Sequence, residues 1–88
     1  MKFTLGHMVA TPGALRLLEE HGISPITLLS RHAQGDWGVV DEDDWKENDL
    51  SVVRGFRILS SYEVGSEKCW IITEADRSST TLLLPSEY

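Results

Sequence analysis

Apolar and polar positions follow two regimes along the chain, and the change falls near residue 56. Before it, apolar residues recur at three- and four-residue steps between proline and glycine punctuation. After it, short apolar runs are rich in β-branched and aromatic residues. In "ATPGALRLLEEHG", Thr11 suits a helix N-cap, Pro12 the first helical position and Gly22 a left-handed stop. Leu15, Leu17 and Leu18 supply the apolar side. "ISPITLLSRHAQG" repeats the grammar with Ser24, Pro25 and Gly35, and with Ile26, Leu28, Leu29 and Ala33 turned inward. Two such helices joined through Gly22 make an αα-hairpin or corner. A third helix starts at Asp41, carries acids in its first turn and ends with Arg54 and Gly55. Its packing residues are expected to be Trp45, Leu50, Val52 and Val53, at imperfect spacing.

From Phe56 onward, "FRILSSYE", "KCWIITE" and "STTLLLP" read as three strands separated by "VGSE" and "ADRS". On the first of them Phe56, Ile58, Ser60 and Tyr62 share one face, and Arg57, Leu59 and Ser61 the other. Pro85 ends the last strand. "FTLGHMVA" near the N-terminus reads as a further short strand or an extended arm. The expected fold class is α+β in a single domain over 1–88: two or three short N-terminal helices packed on a C-terminal three-stranded antiparallel meander, with room for a fourth, N-terminal strand.

Charge sharpens this picture. The net charge is −6, and residues 36–49, "DWGVVDEDDWKEND", hold seven acids against one Lys. The remaining residues balance seven bases with seven acids, so the whole excess sits in one segment. Such a field repels a phosphate backbone and attracts basic partners, which disfavours direct nucleic-acid binding. The chain has no apolar run of the roughly 18 residues needed to span a bilayer. "MKFTLGHMVATPG" lacks the apolar stretch of a secretory signal. One cysteine, Cys69, lies in an apolar strand-like run, which fits a buried thiol in a reducing cytoplasm.

The chemistry-bearing residues give weaker signals. "DEDDWKEND" lacks the alternating ligands and central glycine of a calcium loop. His7, His21 and His32 are far apart and have no thiol pair beside them, so no zinc site is expected. No phosphate-cradling glycine loop, cofactor-binding loop or nucleophile elbow is present. The one catalytic set worth weighing is His32 with Arg54, Arg57 and Thr80, joined by Arg31, Ser61 and Tyr62. It answers to a metal-independent ribonuclease, in which a base takes the 2′-hydroxyl proton and cations hold the phosphate. In "RHAQGDWG", His32 is placed to meet the last carbonyls of its helix, Asp36 to form an Asx-turn, and Trp37 to fold over the helix pair. "TEADRSSTT" reads as a hairpin tip in which Thr73 pairs with Thr80 or Thr81 and Asp76 caps backbone N–H groups. Arg77 alone is not required by that turn. It is free to pair with Glu74 or Asp76, to reach an acid of the third helix, or to face a partner.

Three stretches, "LGHMVATPGALRLLEEHG", "RHAQGDWG" and "WIITEADRSSTTLLLPSEY", together resemble a family of small proteins of unknown function encoded on bacterial plasmids, phages and integrative elements. Some members carry a restriction-modification subunit label, which this chain is too short to justify. The resemblance implies a mobile-element setting and transfers no catalytic residue. Set beside the charge pattern, it gives the expectation of a non-enzymatic protein that inhibits a nucleic-acid-handling defence complex, of the anti-CRISPR or anti-restriction type. The partner would be a protein with a basic surface. The residues expected to bind it are Asp41, Glu42, Asp43, Asp44, Glu47, Asp76, Arg77 and Trp37. A ribonuclease-like toxin or effector is the rival expectation.

Overall fold

Local capping chemistry builds the helices. In the computed structural model, which describes residues 1–88, α1 spans Pro12–Glu20, α2 Pro25–Ala33 and α3 Glu42–Arg54. Thr11 Oγ1 accepts from the Ala14 N–H at 3.1 Å, Ser24 Oγ from Ile26 at 3.3 Å, and Asp41 Oδ1 from Asp44 at 2.8 Å. Each cap satisfies one of the donors that a helix start leaves open, worth about 1 kcal/mol apiece. Gly55 closes α3 in the left-handed conformation that a Cβ would disfavour.

The strands are β1 (His7–Ala10), β2 (Ile58–Val64), β3 (Glu67–Thr73) and β4 (Ser79–Leu83), in the sheet order β1-β4-β3-β2. β2, β3 and β4 form the expected antiparallel meander. The N-terminal strand exists as well, but it pairs parallel with β4, His7 opposite Ser79, so the sheet is mixed. Phe56 and Arg57 precede β2 instead of belonging to it, and Phe56 is exposed.

One face of the sheet is covered by α1 and α2. Leu17, Leu18, Leu28 and Leu29 pack there against Tyr62, Val64, Cys69, Ile71 and Leu82. Each such large apolar side chain contributes roughly 1.5–3 kcal/mol by leaving water. Two of the residues expected inside point outward: Leu15 is exposed, and Ile26 is 61% exposed; Ala14 takes the inward position on α1.

α3 departs further from expectation. Leu50 and Val53 are exposed and Trp45 and Val52 only half-buried, while Asn48 and Ser51 are the buried residues. The reason lies in what α3 packs against. β2 is an edge strand, and it offers peptide groups. The Asn48 amide donates to the Leu59 carbonyl at 2.7 Å and accepts from the Leu59 N–H at 3.2 Å, as a neighbouring strand would. Residues 37–39 continue this cover: Ser61 N–H donates to the Trp37 carbonyl, and Val39 N–H to the Ser61 carbonyl. The close approach needs Gly38, whose Cβ would stand 2.0 Å from the Ser61 oxygen. The β2 edge is thereby covered at Leu59 and Ser61.

The opposite face of the sheet is met by the single 3-10 turn at the C-terminus. The C-terminal turn, Pro85–Glu87, brings Tyr88 edge-on to Trp70 at 5.7 Å between ring centres. Arg57 lies over the Tyr88 ring. No helix is long and apolar enough to cross a membrane.

Candidate functional site

His32 belongs to the apolar stripe of α2, four residues after Leu28, and so it points into the protein instead of toward the helix's last carbonyls. It is fully buried. Nδ1 lies 2.5 Å from Ser60 Oγ and Nε2 lies 2.8 Å from Thr73 Oγ1. Thr73 Oγ1 is 2.7 Å from Thr80 Oγ1, whose hydroxyl donates to the Leu5 carbonyl at 2.7 Å. That last acceptor fixes every proton in the chain. Thr80 donates to Leu5, so Thr73 donates to Thr80, and His32 Nε2–H donates to Thr73. Nδ1 is then the acceptor, and Ser60 donates to it. The neutral imidazole satisfies all five groups, and no buried side-chain N or O lacks a partner. Burial, with the Arg77 charge adding to it, lowers the His32 pKa from 6.5 to about 4.

Phe3 and Trp37 seal this network. Both rings sit within 6 Å of the His32 ring centre, and Trp37 is fully buried. The Trp37 indole N–H donates to Asp49 of α3 at 3.0 Å. Trp37 is therefore a core residue, and its expected role as a surface anchor is corrected by its burial. The ribonuclease set fails on geometry too: His32 and Thr80 are closed to solvent, while Arg54 and Arg57 lie exposed and Arg57 pairs with the Tyr88 hydroxyl. No cavity joins these four. His32 has neither the access nor the basicity to take a proton from a bound substrate.

The rest of "RHAQGDWG" holds itself together. Arg31 Nε meets Asp36 Oδ2 at 2.7 Å, and its guanidinium lies 4.6 Å over the Tyr62 ring. The bond from Arg31 keeps the Asp36 carboxyl below the usual range. Asp36 Oδ1 accepts from the Gly38 N–H, the expected Asx-turn, and the Tyr62 hydroxyl donates to the Asp36 carbonyl at 2.6 Å. Burial pushes the Tyr62 phenol up to about 12.

Arg77, at the tip of the β3–β4 hairpin, finds carbonyls where acids were expected. It donates to Phe56 at 2.7 Å and to Ser51 at 2.8 Å, near the end of α3, and to Glu74 and Ala75 of its own turn. It adopts a left-handed φ of 61° to do so. The side chain expected to be free for a partner is an internal clamp between α3 and the hairpin. Asp76 performs the turn role expected of it, accepting from the Ser78 N–H at 2.9 Å. Thr73 pairs with Thr80 as foreseen, but on the buried face.

The remaining expected residues share the start of α3. Asp41, Glu42, Asp43, Asp44 and Glu47 lie exposed on the first two turns of α3. Within that group the single ion pair is Glu42 with Lys46, at 3.4 Å and largely solvated. Beside them opens a groove of about 490 Å³ on the face of the sheet opposite α1 and α2. Val39, Val40, Leu59, Trp70 and Pro85 line it with apolar surface, and Asp41 and Asp44 form one rim. Lys68 stands on the lining without an ion pair. A smaller hollow shares Val40, Asp44 and Leu59 and extends the groove to Glu47. Alternation along the strands places Leu59 with Ser61, and Lys68 with Trp70, on the outward face, a signal available in the sequence. Nothing local announced that Val39 and Val40 would complete the wall. No three His, Cys, Asp or Glu side chains converge in a way that could hold a metal ion.

No family model, curated protein or solved structure matches the chain.

Proposed function

We propose that the protein is a non-enzymatic binding module whose α3 acids and adjoining groove engage a basic surface of a protein partner. The reading rests on one observation: Asp41, Asp43, Asp44 and Glu47 face solvent without an internal cation, alongside an apolar groove that includes Trp70. Acids at a rim steer a cationic partner and exclude an anionic one, and apolar area beside them supplies contact energy that charge alone does not. A small rigid domain of this kind can occupy a nucleic-acid groove of its partner by presenting carboxylates where phosphates would lie. The resemblance to mobile-element proteins makes a host nucleic-acid-handling defence complex the natural target, with inhibition as the outcome.

The test is a bacterial-lysate capture on the immobilised protein, at low and high salt, beside a variant with Asp41, Asp43 and Asp44 all changed to Asn. Asn caps a helix as well as Asp, so the fold is retained. A nucleic-acid-binding complex should be held at low salt, released by salt and by added nucleic acid, and lost to the triple variant. Equal capture by parent and variant would refute electrostatic mimicry.

A further inference from the structure

The two edges of the sheet are treated differently. The β2 edge is covered at Leu59 by Asn48 and at Ser61 by residues 37–39. The β1 edge is open. His7 and Thr11 direct their amides to β4, donating to the carbonyls of Ser78 and Leu82. By the alternation of a parallel ladder, Met8 and Ala10 turn their N–H and C=O groups the other way, into solvent. This strand, "HMVA", carries none of the lysines, prolines or bulges that usually protect an edge.

Beside it lies an apolar groove of about 150 Å³ between α2 and the N-terminal arm. Met1, Met8 and Ile26 are all at least half exposed there, and none of the groove's eight side chains is charged. Exposed apolar side chains gathered next to an unpaired strand edge call for an occupant that is both extended and apolar.

We propose that this occupant is the same strand of a second copy, so that two chains join β1 to β1 about a two-fold axis. The outward groups impose the register. Pairing both outward residues of each copy sets Met8 opposite Ala10 of the other copy, and Ala10 opposite its Met8, which leaves Val9 opposite Val9 on the axis. Val9 is 41% exposed on the outer face, and Met8 lies beside Ile26 on the helix face, so both sides of the joint bring apolar groups together. α1 leaves β1 inward over β4 and does not obstruct the edge. Charge permits self-pairing: no charged side chain lines the groove or sits on β1, whereas α3, which carries much of the acidic segment, borders the opposite edge. In the joined eight-stranded sheet the outermost strands stand about 34 Å apart at the usual strand spacing, with one acidic helix beyond each. Because β1 is the only edge on which two outward residues keep unpaired peptide groups, with just Glu63 left uncovered on β2, assembly closes at two.

Sedimentation equilibrium, with amide exchange followed by NMR, tests this independently of any partner. The parent should sediment at about twice the 9.9 kDa of one chain. Its Met8 and Ala10 amides should exchange at least tenfold more slowly at concentrations where the dimer forms than on dilution. Met8→Pro removes one outward donor without touching the β4 ladder, and Ile26→Lys charges the exposed groove. Each should weaken the dimer at least tenfold. A monomer at sub-millimolar concentration, species larger than two, a dimer with freely exchanging Met8 and Ala10 amides, or a dimer indifferent to both variants would each overturn the proposal.

Discussion

Acidification should destabilise this protein through His32 before its carboxylates contribute. In the folded chain the ring is neutral, donates through Nε2 to Thr73 and accepts at Nδ1 from Ser60. A second ring proton would place a charge in a fully buried site near the Arg77 guanidinium, and burial is the larger of the two costs. The folded pKa is about 4 against an unfolded value of 6.5. Between these values the unfolded chain binds the proton and the folded one does not. Stability is therefore fully present above pH 6.5, declines as pH falls, and levels off with respect to this group below about pH 4. At 1.36 kcal/mol per pKa unit the full loss is about 3 kcal/mol. A domain of this size has about 4–13 kcal/mol in total, so the effect is large. Urea titrations monitored by Trp fluorescence at pH 8 to 4.5 would measure it, with the buried Trp37 reporting the folded core. His32→Gln lowers the baseline but should flatten the slope in that window. Asp36, whose pKa is lowered chiefly by the bond from Arg31, loses its contribution only at lower pH, so the two effects separate. Parallel pH profiles for parent and His32→Gln, or an NMR titration of His32 centred near its ordinary value, would refute the argument.

Arg77→Ala removes the clamp on the Ser51 and Phe56 carbonyls and should cost about 2–3 kcal/mol in urea unfolding, with increased amide exchange at the end of α3. Arg77→Gly loses the same contacts but relieves the left-handed φ, so it should be more stable than Arg77→Ala by about 1 kcal/mol. Cys69 is buried and its thiol is pushed up to about 11, so a thiol reagent should label it only at the rate of unfolding, and prompt labelling of the native protein would contradict that burial.

The local elements were legible because their causes lie within a few residues. Thr11, Ser24 and Asp41 bond amides two or three positions away, and Gly55 needs only its own backbone to end α3. β-branched and aromatic runs likewise announced β2, β3 and β4. The acidic segment was visible as composition, and its outward display on α3 followed from the helix start.

Tertiary structure decided what side chains at those positions do. Arg77 and Ser51 are 26 residues apart, His32 and Thr73 41 apart, and Thr80 reaches Leu5 across 75. No local pattern specifies such pairs. Trp37 read as a possible surface anchor because aromatic residues serve equally in cores and interfaces; the Phe3 and His32 rings chose the core. The apolar positions of α3 misled because a helix beside a strand edge is held by peptide-like groups, and Asn48 supplies one. The parallel pairing of β1 with β4 joins the two ends of the chain, and only the closing of the whole sheet brings them together. Short-range hydrogen bonding wrote the helices and the meander into the sequence. Which face each residue shows to its neighbours, and which edge stays open, emerged only when distant segments competed for the same core.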